Sequence, residues 1–283
     1  MTLDMKVYLS PTRVISGDAT FSPVSSTLFM GKKEAVLVDA QYYVEDVVAL
    51  GDMIEKSGRR LTTIYITHGH SDHYFGAGSI TARFPGARIV ALPSVVDYIQ
   101  ANNGREIGTM AKMFGDRAVT PSALPEALKD HIIELDGYEL RAIEIGQGDI
   151  APSTALYSPD IGAVVPGDIV YNGIHMMLGI SGPEEWENWI RSIEAIAALK
   201  PRVIVAGHKR PDLRDDDPDT ILNTSRRYML DFADALKAEP STQSIVRTMQ
   251  DKYPDFGNLS TLLFSASAAA RRATGRAPPA LGG

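Results

Sequence analysis

The sequence predicts an α/β fold built from two half-units, each a mixed sheet with helices on its outer face, and a helical stretch closing the chain. Three patterns carry that expectation. Short β-rich segments fill the first 40 residues and give way to strand–helix alternation up to about residue 102. A second series of strands, between 131 and 165, leads into a helix and one more strand at 203–206. After Asp217-Pro218 only helical periodicity remains.

The elements follow in order. Residues 6–10, 13–16, 26–30 and 35–38 are strand candidates, separated by Gly, Pro or Lys turns. A helix comes next, with Val44, Val47, Val48, Gly51 and Ile54 on one face and Gly58 as its stop. Residues 61–67 (LTTIYIT) read as a buried strand. A short helix at 75–84, a strand at 87–92 and a helix at 94–102 continue the alternation. Residues 104–130 are less periodic and read as a helical insertion over the site. Strands at 131–135, 139–145, 154–157 and 163–165 form the second series, with Asp160-Ile161-Gly162 as the last turn. Ser181-Gly182-Pro183-Glu184 reads as a capping box opening a helix to Leu199. Its stripe of Trp186, Trp189, Ile190, Ile193 and Ile196 is core rather than a substrate-stacking surface. Helices are expected at 219–237, 242–252 and 259–272, and a frayed tail from Ala273. One catalytic unit is thus expected over 1–216, with the extension of 217–283 packed on the same domain.

Composition narrows the function. Of 283 residues 44% are apolar and 22% charged, which suits a globular chain. The net charge of −7 argues against a general binder of nucleic acid or anionic membrane, since phosphate neutralisation needs clustered Lys and Arg. The densest basic patch is Lys209-Arg210. No apolar run approaches the ~18 residues of a membrane span, and the start of the chain does not read as a signal peptide. A cytoplasmic protein acting on a small molecule is expected. With no Cys, any metal must be held by His and carboxylates.

Three of the six His, with one Asp, lie within six residues at the end of the buried strand: His68, His70, Asp72 and His73. α/β folds place their sites at the C-terminal ends of strands. A tight turn there, with small Gly69 and Ser71, can aim several imidazoles and a carboxylate at one point. Imidazole with carboxylate is the ligand set of borderline metals such as zinc.

The segment Thr67-His68-Gly69-His70-Ser71-Asp72-His73 resembles the signature of the metallo-β-lactamase superfamily, over about residues 5–210. The resemblance implies a four-layer αββα sandwich with a one- or two-metal site between the sheets. It implies that His68 and His70 bind a first metal and Asp72 and His73 a second. Asp168, in Val165-Pro166-Gly167-Asp168, matches the bridging carboxylate, and His208, in Val205-Ala206-Gly207-His208, the last His ligand. The family's third His ligand of the first metal is missing. Ile145-Gly146-Gln147-Gly148-Asp149-Ile150 stands there, and Asp149 is the natural substitute. Its added negative charge would make manganese or iron more competitive with zinc.

The implied activity is a metal-dependent hydrolase that cleaves a small ester, lactone, thioester or amide by a metal-activated hydroxide, using two divalent ions, with zinc foremost. Asp72 would orient the nucleophile or shuttle its proton besides ligating. Asp39 reads as a support for the metal loop. Tyr171, Asn172 and His175, close behind Asp168, are candidates to line the substrate pocket, and Met176-Met177-Leu178 a greasy wall or lid. The C-terminal helices are expected to cover the cleft or form a homodimer interface. The alternatives are a phosphodiesterase of the same superfamily and a non-catalytic metabolite binder with its metal site impaired at Asp149.

Overall fold

The structure is a computed structural model and describes residues 3–279. The first half of the chain contributes β1 (Asp4–Leu9), the hairpin β2 (Arg13–Ser16) and β3 (Ala19–Phe21), β4 (Ser25–Met30), β5 (Glu34–Val38), α1 (Val44–Lys56) and β6 (Arg60–Tyr65). It continues with α2 (Ser71–Tyr74), α3 (Ala77–Arg83), β7 (Arg88–Ala91), α4 (Pro93–Phe114) and β8 (Glu126–Ala127). The second half holds β9 (Ile132–Leu135), β10 (Tyr138–Gly146), β11 (Ser153–Ser158), β12 (Ala163–Val165), β13 (Tyr171–Asn172), α5 (Pro183–Ala198), β14 (Val203–Ile204) and β15 (His208–Lys209). The chain then closes with α6 (Pro218–Ala238), α7 (Thr242–Lys252) and α8 (Leu259–Ala273).

Two sheets form the frame. One has the order β1-β4-β5-β6-β7-β8 and the other β14-β12-β11-β10-β9. Each is mixed. β1, β4 and β5 pair antiparallel while β5 to β8 run parallel. In the second sheet only β12 and β14 are parallel.

The alternation of side chains along each strand builds the layers. In β5, Val36 and Val38 enter the core between the sheets, while Ala35 and Leu37 face the helices of the first half. In β6 Tyr65 lies between the sheets and Ile64 faces the helices. Leu156 of β11 and Val165 of β12 close the inter-sheet core from the other side. Their neighbours Ala155 and Val164 face α5 and the C-terminal helices. The four layers are therefore helix, sheet, sheet, helix. The C-terminal helices share one apolar cluster with α5 and the second sheet: Ile221, Phe232 and Leu262 pack with Trp189 and Ile204.

Several local expectations are corrected. β3 was not expected; three half-buried residues give too short a pattern. The buried face of α1 holds Val47, Leu50, Gly51, Met53 and Ile54, and Val44 and Val48 are exposed on its flank. α4 runs through 114 rather than ending at 102, because Glu106, Met110 and Phe114 turn inward. The cap of α5 is Gly182, not Ser181. Ser181 Oγ accepts from Trp186 Nε1 at 3.2 Å, and only the Glu185 half of the reciprocal pair forms, accepting the Gly182 N–H at 3.0 Å. The stretch after α8 reaches residue 279, and the rest of the expected tail lies outside the described residues.

Candidate metal centre

Seven side chains converge where the two sheets meet. The loop Thr67–His73 leaves β6 and is stitched to the second sheet. Thr67 carbonyl accepts from the N–H and the Oγ1 of Thr154 at 3.0 and 2.7 Å, and His68 pairs its backbone with Ser153. A short turn over Gly167–Ile169 after β12 carries Asp168, and Trp189 Nε1 fastens it by donating to the Ile169 carbonyl at 2.8 Å. Gly167 has φ +53°, and a Cβ there would lie 2.5 Å from Thr67 Oγ1 and 3.0 Å from His68 Nδ1. A side chain at Gly207 would lie 2.0 Å from Asp168 Oδ1. Both glycines keep the floor of the site clear. Gly69 serves the crowded loop similarly, lying under the Tyr98 ring at a spacing a Cβ would reduce to 2.3 Å.

The ligand-type atoms form two groups. His68, His70, Asp149 and Asp168 each offer an atom within 4.8 Å of the others, and Asp72, His73 and His208 do the same. Asp168 joins the groups. Its Oδ2 is 3.9 Å from His68 Nε2 and 3.0 Å from His208 Nε2, and its Oδ1 is 3.2 Å from His73 Nε2. Asp72 Oδ2 lies 3.4 Å from both His73 Nε2 and His208 Nε2. Asp149, where a third His was expected on resemblance, sits in the first group. Its Oδ2 is 2.8 Å from His70 Nδ1, and its Oδ1 accepts the Ile150 N–H at 2.7 Å. It caps its own turn and faces the site at once.

The orientation of the imidazoles is set from behind. Asp39 Oδ2 accepts from His73 Nδ1 at 2.8 Å and from Thr67 Oγ1 at 2.8 Å, and its Oδ1 accepts the Thr67 N–H at 2.9 Å. Since the Thr67 hydroxyl gives its one proton to Asp39, it accepts from His68 Nδ1 at 3.0 Å. His208 Nδ1 donates to the Pro23 carbonyl at 2.9 Å. Each of these Nδ1 atoms faces an acceptor, so each Nε2 lone pair is turned into the site. Nε2 of His68, Nε2 of His73 and Oδ1 of Asp168 are buried and make no hydrogen bond. Buried polar atoms are normally paired. Unpartnered lone pairs converging with carboxylates are what a bound cation would satisfy, so the residues fit a metal.

The electrostatics agree. Burial opposes charge on every group here, and the outcome depends on neighbours. His68, buried beside His73, is pushed down and stays neutral. His70 rises to about 9 despite burial because Asp149 faces it. His73 rises against burial under the pull of Asp168, Asp72 and Asp39, and His208 under that of Asp168. Asp72 falls to about 2 despite burial, held by His73. Asp168 also falls despite burial, held by His208 and His73, whereas burial lifts Asp149. Protons and a metal compete for the same imidazole lone pairs.

The other sequence candidates divide. Tyr171 is at the site: its hydroxyl donates to Asp168 Oδ2 at 3.2 Å and its ring stacks on His208 at 5.3 Å. Asn172 and His175 are not, and their expected pocket role is corrected. β13 pairs parallel with β15, setting Tyr171 opposite His208 and Asn172 opposite Lys209. Alternation then sends Asn172 away, where its Nδ2 donates to the Arg214 carbonyl. His175 Nδ1 is hydrogen-bonded to the Tyr228 hydroxyl at 3.0 Å, among the aromatic rings of the C-terminal helices. Met177 alone of the Met176–Leu178 run lines the cavity. The patch of Lys209 and Arg210 is neutralised by Asp215 and Asp212.

A cavity of about 440 Å³ opens over the centre, lined there by His70, Asp72, Asp149, Asp168 and His208. Sequence reasoning missed most of its lining, including Glu106 of α4, whose Oε2 accepts weakly from the Ser71 N–H at 3.4 Å, Ser22, whose Oγ is 3.1 Å from His208 Nδ1, and Phe264 of α8. Long-range packing brings all three to the site. The weak periodicity beyond 104 was the only sequence signal, and it pointed to an insertion without naming the residue.

Known proteins share this fold. The profile of the metallo-beta-lactamase superfamily matches residues 19–208. A UPF0173 metal-dependent hydrolase of Thermofilum pendens is 26% identical over 200 residues, which cover 66% of this chain and 80% of that protein. A metallo-beta-lactamase family protein of Thermus thermophilus superposes with a TM-score of 0.64 at 19% identity, covering 95% of this chain and 94% of the other. A beta-lactamase domain protein of Burkholderia ambifaria gives 0.62 at 14% identity, covering 94% and 85%. Both superpositions run well past the profile's limits and take in most of the C-terminal helices. On the profile match and the shared fold, the chain belongs to the metallo-beta-lactamase superfamily of metal-dependent hydrolases.

Proposed function

We propose that this chain hydrolyses a small acyl compound, an ester, lactone, thioester or amide, with two divalent ions held by His68, His70, Asp149, Asp72, His73 and His208 and shared through Asp168. Zinc is the first choice, and the carboxylate of Asp149 brings manganese and iron closer to it. The observation that carries the reading is the convergence of buried Nε2 lone pairs and carboxylates at the floor of an otherwise mostly apolar cavity. Bound there, such ions would lower the pKa of a water and polarise the carbonyl to be attacked.

The chain's own groups supply position and charge. Asp72, an ionised carboxylate between His73 and His208, accepts hydrogen bonds only and can hold a water by its O–H. Burial and the nearby Asp168 push the Tyr171 phenol well up, so it remains a donor. Its single proton is given to Asp168 Oδ2 at 3.2 Å, so it would serve a developing oxyanion at the cavity floor only by swinging away from that carboxylate. With a substrate lying against them, the apolar walls would exclude bulk water and strengthen both interactions.

A phosphodiesterase would hold its anionic substrate better with cations beyond the metal centre. Among the residues lining the cavity there is one Lys, Lys112, and no Arg. The test is metal content by mass spectrometry together with turnover of p-nitrophenyl acetate and p-nitrophenyl butyrate, lost with EDTA and restored by zinc or manganese. Faster turnover of bis-p-nitrophenyl phosphate than of the acyl esters would move the activity to phosphodiesters. A protein that takes up no metal would end the reading.

A further inference from the structure

The walls of the cavity are more specific than its floor. Phe21 of the β2–β3 hairpin, Met110 and Met113 of α4, Met177 and Ile180 before α5, and Phe264 of α8 surround it. Apart from Met110 these side chains are only half-buried, so the apolar surface they leave is turned to the cavity rather than to the core. Polar groups are present on one wall, where the hairpin meets α8, but they are bonded to one another. Thr20 N–H donates to Ser260 Oγ at 2.9 Å, and Asn258 sits between Thr20 and Thr261. These groups tie the hairpin to the C-terminal extension and leave few free donors for a ligand. The one Lys or Arg of the lining, Lys112, is exposed at the rim.

We infer that this cavity binds an apolar acyl or alkyl chain, with the C-terminal extension forming one of its walls; the inference rests on the acyl-hydrolase reading above. At roughly 30 Å³ for a group the size of water, the volume holds about fifteen non-hydrogen atoms, room for an acyl chain of about eight carbons with its ester oxygens and part of the leaving group. A chain lying there covers apolar surface that is otherwise wet. Each buried methylene is worth about three- to fourfold in kcat/KM when it is removed from water at the transition state.

The experiment uses the zinc- or manganese-loaded full chain and p-nitrophenyl esters of acetate, butyrate, hexanoate and octanoate. The expected kcat/KM rises about a hundredfold from butyrate to octanoate. In Phe264→Ser and, separately, Met113→Ser the octanoate-to-butyrate ratio falls at least tenfold. Two variants on different elements guard against one that fails to fold. A flat or falling series in the wild type overturns the inference while leaving acyl hydrolysis standing. If no ester is turned over at any length, the acyl-hydrolase reading has failed, and binding decides the cavity's chemistry. Titration with 1-octanol followed by calorimetry should show one site per chain that is lost in Phe264→Ser, and no heat of binding in the wild type overturns the inference.

Discussion

Replacing Asp39 by Asn tests whether the histidines of the metal centre are set from behind. Asp39 is 2% exposed and has φ +59°, a left-handed conformation that Asn also tolerates, so the backbone is not strained by the change. The shape is kept and the chemistry inverted. An Asn Oδ1 can still accept the Thr67 N–H, but its Nδ2 then faces His73 Nδ1 and Thr67 Oγ1, where a carboxylate oxygen accepted from both. To satisfy that amide, His73 must carry its proton on Nε2, where the metal would bind. Thr67 must also turn its hydroxyl towards His68 Nδ1, which shifts the His68 proton the same way. One substitution therefore turns two ligands. Loss of a group behind a single ligand costs about 10–100-fold in metal affinity. With two ligands coupled the expected loss is about 100-fold, or about 2.7 kcal/mol. A competitive titration against a fluorescent chelator measures it. Thr67→Val, which removes the acceptor behind His68 and one donor to Asp39 but leaves the Asp39–His73 bond, should cost about tenfold. Asp39→Asn affinity within twofold of wild type would refute the account.

Three other outcomes are expected. Asp149→Asn keeps the bond to the Ile150 N–H but removes the charge facing His70, so zinc bound per chain should fall to about one after desalting; two retained zinc ions would show that Asp149 is only a turn cap. Gly207→Ala drives a methyl into Asp168 and the Gly167 backbone, costing about 1–3 kcal/mol in urea unfolding and lowering metal content. Burial lowers the folded-state pKa of His175 to about 4, so the unfolded chain binds the extra proton between about pH 6.5 and 4. Stability is then full above pH 6.5 and falls as pH drops. Between pH 7.5 and 5 wild type should lose about 2 kcal/mol more than His175→Gln in urea melts, and equal losses would show that His175 does not titrate in that window.

The sequence by itself determined the fold class and the centre of the site. Period-two strands and amphipathic helices report burial locally, so the two sheets and most helices were legible. His68, His70, Asp72 and His73 were legible because four candidate ligands fall in one turn. Asp168 and His208 were reached only through the family resemblance, which supplies the order of the later ligands; taken alone, a Gly-Asp turn and a single His after a strand carry no such signal. Tertiary structure alone decided which of the neighbouring polar residues face that centre. Tyr171 and Asn172 are adjacent in sequence, yet pairing with β15 turns one onto His208 and the other away. His175 looked like a pocket residue from its distance along the chain to Asp168, but the aromatic cluster of the C-terminal helices takes it up. The cavity walls were illegible for a related reason. Phe21, Met113 and Phe264 lie far apart in the chain, and a half-buried apolar side chain at a helical or strand position carries the same local signal whether it faces the core or a substrate. Only the packing of α8 against the hairpin separates those two cases.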